Sequence, residues 1–202
     1  MNLEKIIDTD NSRLSQGTFE DTSLLEECVK YIRGKLNEYP PIKIYDKICH
    51  QRRCVGFFSD ESIGYYYSNQ LSKSKPMSPC LLLLLETINS HFDSNYNGIL
   101  VNLYKTGDDY ISAHSDDETG LDKSGAGVVA ISYGATRKFR IRDKKTREKI
   151  IDIPMTSGLI IKMDGDFQKK YTHEVPIERR VKEERISFTF RKHNKWNNEI
   201  MK

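Results

Sequence analysis

The chain has 202 residues, enough for one domain with a sizeable core, and a formal charge of +3 from 32 Lys/Arg against 29 Asp/Glu. Charged residues make up 30% and hydrophobic ones 37%, a soluble globular balance, and the longest apolar run, Leu81 to Leu85, is far short of a membrane span of roughly 20 residues. The opening MNLEKIIDTDNSRLSQG lacks the basic start and apolar stretch of a secretory signal, so an intracellular protein is expected. Cys28, Cys49, Cys54 and Cys80 show no CxxC spacing and read as free thiols rather than a disulfide or zinc framework.

Residues 1–18 are polar and aperiodic and are expected to be loosely held. In DTSLLEECVKYIRGKLNEY, Leu24, Leu25, Cys28, Ile32 and Leu36 recur at helical spacing, with Asp21 as N-cap and Pro40–Pro41 as the stop. An extended region, IKIYDKICHQRRCVGFFS, and the aromatic run GYYYSN at 64–69 follow. SPCLLLLLETINSHF reads as a second amphipathic helix opened by Ser78 and Pro79. Residues 19–96 thus read as helices and hairpins packed on a core that begins at about residue 97.

From there to residue 193 the chain consists of short β-branched and aromatic runs between turns: GILVNLYK, YISAHS, GVVAISYG, RKFRIRD, KIIDIP, GLIIKMD, YTHEVP and RISFTFR. Strands at this spacing indicate a sandwich or barrel rather than alternating βα units. The expected architecture is mainly β with flanking helices, two helices bracing a jelly-roll core, followed by a polar tail at 194–202. Basic clusters at QRRC (51–54), RKFRIRDKKTREK (137–149) and ERRVKEER (178–185) suit phosphate contacts, although solvated faces carry such runs too.

The segment YISAHSDDETG, residues 110–120, concentrates acids beside a histidine. On an extended strand His114 and Asp116 project together while Ser115 points the other way. An imidazole and a carboxylate so placed can chelate one divalent ion, and a third ligand would complete the two-histidine, one-carboxylate set suited to non-haem Fe(II). The candidates are His50, His91, His173 and His193. His91 ends a predicted helix, His193 lies in the polar tail and His50 precedes a basic segment. His173 lies in a late strand able to pair within the same sheet, which makes it the best geometric candidate. The competing reading is an acid-rich surface turn, with Asp117 and Glu118 as solvent-facing acids.

RISFTFR divides into an apolar face of Ile186, Phe188 and Phe190 and a polar face of Arg185, Ser187, Thr189 and Arg191. An exposed edge strand alternates in the same way. Yet two arginines flanking two hydroxyls also suit a buried dicarboxylate, because the guanidinium fork matches carboxylate geometry and keeps its charge.

The NLY strand, the HxD pair, the distal His and the RxSxTxR strand, in this order, resemble the AlkB family of 2-oxoglutarate- and Fe(II)-dependent dioxygenases, in particular its eukaryotic nuclear homologues that repair alkylated double-stranded DNA. The similarity runs from about residue 22 to 193, and HSDDE, SYGATRKFRIR, SGLIIKMDG and RISFTFR all have counterparts there. The resemblance implies a double-stranded β-helix core with His114, Asp116 and His173 as iron ligands. It implies Asn102 and Tyr104 on 2-oxoglutarate, Arg185 on its distal carboxylate, and Arg191 near the chelating carboxylate, with Ser187 and Thr189 beside them. The family usually carries Asn where Ser187 stands, and Ser187 keeps a polar side chain with less reach and one donor fewer.

The implied reaction consumes Fe(II)-bound 2-oxoglutarate and O2, releases succinate and CO2, and removes N-methyl groups of the 1-methyladenine or 3-methylcytosine type as formaldehyde. A base in a duplex must leave the stack before such a site can reach it. By the same resemblance Tyr67 would stack on that base, Tyr65 would offer its hydroxyl to the base edge, and Ser68, Asp117 and Glu118 would border it. Ile44 or Tyr45 would occupy the wedge position of a duplex-probing hairpin, with Arg52 near the partner strand. Arg142, Lys144 and Lys145 at a hairpin tip, and Arg179 and Arg180, would meet phosphates. The expected partner is alkylated DNA, double-stranded or in both forms, handled by a monomer away from membranes, in the nucleus or wherever the target genome lies. Two rivals keep most of these residues: the same mechanism on RNA or N6-methyladenine, and a non-catalytic nucleic-acid binder.

Overall fold

The structure, a computed structural model, describes residues 2–44, 46–60, 64–67, 70–118, 120–122 and 127–194, with the backbone alone for Ile44, Tyr66, Tyr67 and Gln70. The expected roles of Tyr45 and Ser68, and of the Ile44 and Tyr67 side chains, therefore lie outside the described residues.

Three hairpins and two helices precede the core. A hairpin of β1 (Glu4–Thr9) and β2 (Ser12–Thr18) leads into α1 (Thr22–Ile32), and a second hairpin pairs β3 (Pro41–Ile44) with β4 (Lys47–His50). After β5 (Cys54–Phe58), the hairpin of β6 (Gly64–Tyr67) and β7 (Gln70–Lys73) leads to α2 (Pro79–Phe92). The helices start where their capping residues stand: the Asp21 carboxylate accepts from the Leu24 N–H and the Ser78 hydroxyl from the Leu81 N–H. Helix α1 ends at Ile32, well before Pro40, because Arg33 turns extended and Gly34 takes a positive φ of 73°.

The core strands are β8 (Gly98–Tyr104), β9 (Ile111–His114), β10 (Val128–Gly134), β11 (Arg137–Asp143), β12 (Lys149–Met155), β13 (Leu159–Gly165), β14 (Tyr171–Val175) and β15 (Arg185–Arg191), with the short α3 (Phe167–Lys170) before β14. They divide between a seven-stranded sheet, ordered β1-β2-β13-β10-β15-β8-β5, and a four-stranded sheet, ordered β12-β11-β14-β9. Every neighbouring pair is antiparallel. This is the jelly-roll core, with α1 and α2 on the outer face of the larger sheet.

The larger sheet is covered on both faces. Val129, Ile131, Ile186, Phe188 and Phe190 face the helices and pack with Leu25, Leu81, Leu84 and Ile88. Ala130, Ile161 and Met163 face the smaller sheet and meet Phe139, Ile141 and Ile153. Strand β15 is therefore not the exposed edge its alternation also permitted. It lies between β10 and β8, so both of its faces are interior.

Two expectations are corrected. Residues 4–18 are not loose: β2 pairs with β13 from Leu159↔Thr18 to Gly165↔Ser12, and Leu14 is fully buried beside the inner core. The segment looked aperiodic because one strand of this hairpin is the sheet's outer edge, where polar residues face solvent. His193 is likewise not part of a solvated tail. It is buried against Phe57 at 4.6 Å between ring centroids, and its strand-like segment pairs with residues 120–122.

Candidate metal centre

His114 closes β9 and His173 lies mid-strand in β14, and the two are directly opposite in the ladder. That register, set by the antiparallel pairing of β14 with β9, brings their rings to 4.3 Å between centroids. Asp116 follows two residues after His114, and its Oδ1 lies 3.7 Å from Nε2 of each histidine. These separations are too long for hydrogen bonds and short enough for donors sharing one ion. All three donor atoms lie within 4.8 Å of one another, the one such cluster among the described residues.

The protonation states suit a cation. Burial lowers the pKa of His114, and it holds His173 at about 3, so both rings are neutral near pH 7. The His114 Nδ1 lies 2.9 Å from the Ser112 carbonyl, and donating to that oxygen puts the lone pair of the neutral ring on Nε2, on the side of Asp116. Burial raises the Asp116 carboxyl, but Arg191, His173 and His114 outweigh it and hold the group below the usual carboxylate range. Asp116 Oδ2 is buried without a hydrogen-bond partner. Two neutral imidazoles and an ionised, under-coordinated carboxylate fit a divalent metal.

The turn after His114 is held from outside the site. Ser115 faces away and donates to the Tyr171 carbonyl at 2.9 Å, while the Asp116 N–H donates to the Gln168 side chain of α3 at 2.8 Å. Asp117 points outward to Lys144 at 2.9 Å. Glu118 turns inward, where its Oε1 accepts from the Tyr65 hydroxyl at 2.5 Å and lies 3.8 Å from Arg191. Burial raises the Glu118 carboxyl against the pull of Arg191.

The polar face of β15 runs along the cavity that contains this cluster, which is lined also by Asn102 and Tyr104 of β8. Arg191 stands at the metal end, 2.6 Å from Asp116 Oδ1 and with its guanidinium 5.3 Å from the Tyr65 ring centre. Arg185 stands at the other end of the strand, where its Nε donates to the Ser132 hydroxyl at 2.9 Å and its guanidinium lies over Tyr104 at 5.4 Å. No carboxylate among the described residues comes within 4.0 Å of Arg185, and its Nη1 is buried without a partner. Ser187 lies directly between Asn102 and Ser132 in the ladders. The cavity thus offers a set of metal-ligating side chains at one end and an uncompensated cation at the other.

Arg53 belongs to this cavity although the sequence did not single it out. It is buried and donates to the Asn102 side-chain oxygen at 2.8 Å. Its neighbour Arg52, expected near the partner strand, is exposed. Alternation along a strand start would have separated the two. The remaining basic candidates are outside the cavity. Arg142 is tied to Glu174 at 2.9 Å, Lys144 to Asp117 and the Gln168 carbonyl, and Arg179 faces Asp108 at 3.5 Å, while Lys145 and Arg180 are exposed. On the β3–β4 hairpin the exposed apolar side chain among those described is Ile48, at 73%.

Comparison with known proteins gives one pattern. Residues 20–191 match the family model described as the 2OG-Fe(II) oxygenase superfamily. The human protein named DNA oxidative demethylase ALKBH2 is 28% identical over 175 residues, covering 83% of this chain and 66% of that protein. The bovine protein named alpha-ketoglutarate-dependent dioxygenase alkB homolog 3 is 32% identical over 158 residues, covering 73% of this chain and 54% of that one. The chain therefore spans about half to two thirds of the length of these relatives. A solved structure entitled The structure of OsALKBH1 superposes with a TM-score of 0.58 at 15% identity, over 94% of this chain and 100% of the other, a likeness of fold.

Proposed function

Because the chain belongs to the 2OG-Fe(II) oxygenase superfamily, we propose that it removes N-methyl groups from damaged DNA bases, of the 1-methyladenine or 3-methylcytosine type, by direct oxidative reversal. The name DNA oxidative demethylase of the ALKBH2 relative supports DNA demethylation, and the name alpha-ketoglutarate-dependent dioxygenase of the alkB homolog 3 relative supports the cosubstrate. The observation that carries the reading is the pairing, in one buried cavity, of a His–Asp–His cluster with the uncompensated Arg185. Fe(II), with 2-oxoglutarate and O2, supplies the oxidation, and the overall products are the demethylated base, formaldehyde, succinate and CO2.

The chain's own groups bind, orient and exclude water. His114, Asp116 and His173 hold the ion. Arg185, beside Tyr104, takes the distal carboxylate of 2-oxoglutarate through its free Nη1, and Asn102, Ser187 and Thr189 supply the polar wall between the two ends. Arg191 keeps Asp116 ionised and oriented. Glu118 and Tyr65 form the polar edge that meets the extruded base, with Tyr67 as the stacking partner and Asp117 at the rim. Phosphate contacts fall to Lys145, Arg52, Arg179 and Arg180, whose side chains are exposed, whereas Arg142 and Lys144 must first exchange their carboxylates. The site of action follows the target genome, the nucleus in a eukaryotic cell.

The test is a methylated oligonucleotide incubated with Fe(II), 2-oxoglutarate and O2. Succinate should appear in step with loss of the methyl group, and Asp116→Ala should abolish both. Product formation without 2-oxoglutarate, or full activity of the Asp116→Ala protein, would overturn the reading. Competition between methylated DNA and RNA oligonucleotides decides the nucleic acid, and preferential turnover of RNA would redirect the substrate assignment.

A further inference from the structure

Arg137 is 1% exposed, among the largest fully buried side chains of the molecule, and it is not part of the cavity wall. Its guanidinium donates to three backbone carbonyls, Thr106 at 2.9 Å, Asp109 at 2.8 Å and Pro176 at 2.7 Å, and its Nε to Glu178 at 3.3 Å. A buried cation normally carries a heavy desolvation cost, so a site that satisfies it this fully has a tightly defined geometry. Those partners lie on two connections. One, 105–110, joins Asn102 and Tyr104 of β8 to the strand of His114. The other, 176–184, joins the strand of His173 to Arg185 of β15.

The two connections also clasp each other. The Gly107 N–H donates to the Val181 carbonyl and the Glu178 N–H to the Gly107 carbonyl, each at 2.8 Å. They approach so closely that a Cβ on Gly107 would lie 1.8 Å from the Glu178 carbonyl oxygen. Arg137 lies over the Tyr104 ring at 5.7 Å, and Arg185 lies over the same ring at 5.4 Å. Glu178 compensates the Arg137 charge, which leaves Arg185 as the uncompensated cation at that end of the cavity.

We propose that Arg137 is a positioning residue that holds Tyr104 and Arg185 in place for the distal carboxylate of the cosubstrate, by locking the 105–110 and 176–184 connections together. The inference rests on the function proposed above. Lysine cannot replace it, because one ammonium on a flexible stem cannot reach three carbonyls and a carboxylate from a single plane.

The experiment compares the parent chain with Arg137→Lys, each loaded with Mn(II) without O2, and measures 2-oxoglutarate binding by calorimetry. The Kd for 2-oxoglutarate should rise by about tenfold, the scale of one charge-assisted hydrogen bond lost, while Mn(II) affinity stays within about twofold. In turnover the KM for 2-oxoglutarate should rise more than kcat falls. A folded Arg137→Lys protein with a lower Tm but an unchanged Kd would show a purely structural role and overturn the inference. If Arg137→Lys does not fold, Glu178→Gln carries the same test, since it loosens the clamp at its partly exposed end. An unchanged Kd there also overturns it. A parent chain that binds Mn(II) but no 2-oxoglutarate overturns the functional reading, and this inference with it.

Discussion

Arg185 and Arg191 occupy the two ends of one face of β15 but meet opposite charge environments. Arg191 is paired with Asp116 and Glu118, whereas Arg185 meets a hydroxyl and an aromatic ring. Their substitutions should therefore differ in kind. Arg185→Gln is expected to raise the KM for 2-oxoglutarate by about tenfold to a hundredfold, the scale of a bidentate carboxylate contact, with metal affinity little changed. Arg191→Gln should weaken metal binding and lower the Tm, because it leaves Asp116 buried without its cation. Metal titration and cosubstrate kinetics on both proteins check the contrast, and identical profiles would refute it. Tyr65→Phe removes the donor to Glu118, and kcat/KM for the methylated oligonucleotide should fall by about tenfold with the KM for 2-oxoglutarate unchanged.

At the scale of elements, the helices and β15 follow local rules and can be perturbed locally. Ser78→Ala removes the α2 cap and should cost about 1 kcal/mol in denaturant unfolding while leaving turnover intact. Phe188, fully buried between β15 and the helices, should cost about 3–5 kcal/mol when truncated to Ala. On the smaller sheet, the hydrogen bond from Arg140 lowers the Asp152 carboxyl. A depressed carboxylate stabilises the fold above its unfolded pKa of about 3.9, and that stability is lost as pH falls through the folded value. Asp152→Asn should therefore flatten the stability profile below about pH 4 and leave its slope between pH 5 and 8 unchanged. An unaltered acid limb in urea unfolding curves would contradict this.

For the whole molecule, the net charge of +3 matters less than where the cations stand. Lys145, Arg179 and Arg180 lie at the surface, away from the cavity, while Arg53, Arg137, Arg185 and Arg191 are buried. Duplex affinity should fall steeply with salt through the first group, and a triple Lys145→Ala, Arg179→Ala, Arg180→Ala protein should show a shallower salt slope with unchanged 2-oxoglutarate affinity. An identical slope would exclude these residues as phosphate contacts.

The sequence by itself determined what depends on near neighbours. The two-residue step from His114 to Asp116, the polar and apolar faces of RISFTFR, both helix caps and all eight core strands are local patterns, legible from period and capping chemistry. The sequence already favoured His173 as the third member of the candidate metal cluster, and the tertiary structure supplied the reason that it can meet the other two. His173 does so because β14 pairs with β9 in that register, and no spacing along the chain encodes a register between distant strands. The same holds for the burial of Leu14, Arg53, Arg137 and His193, each of which a distant segment closes over.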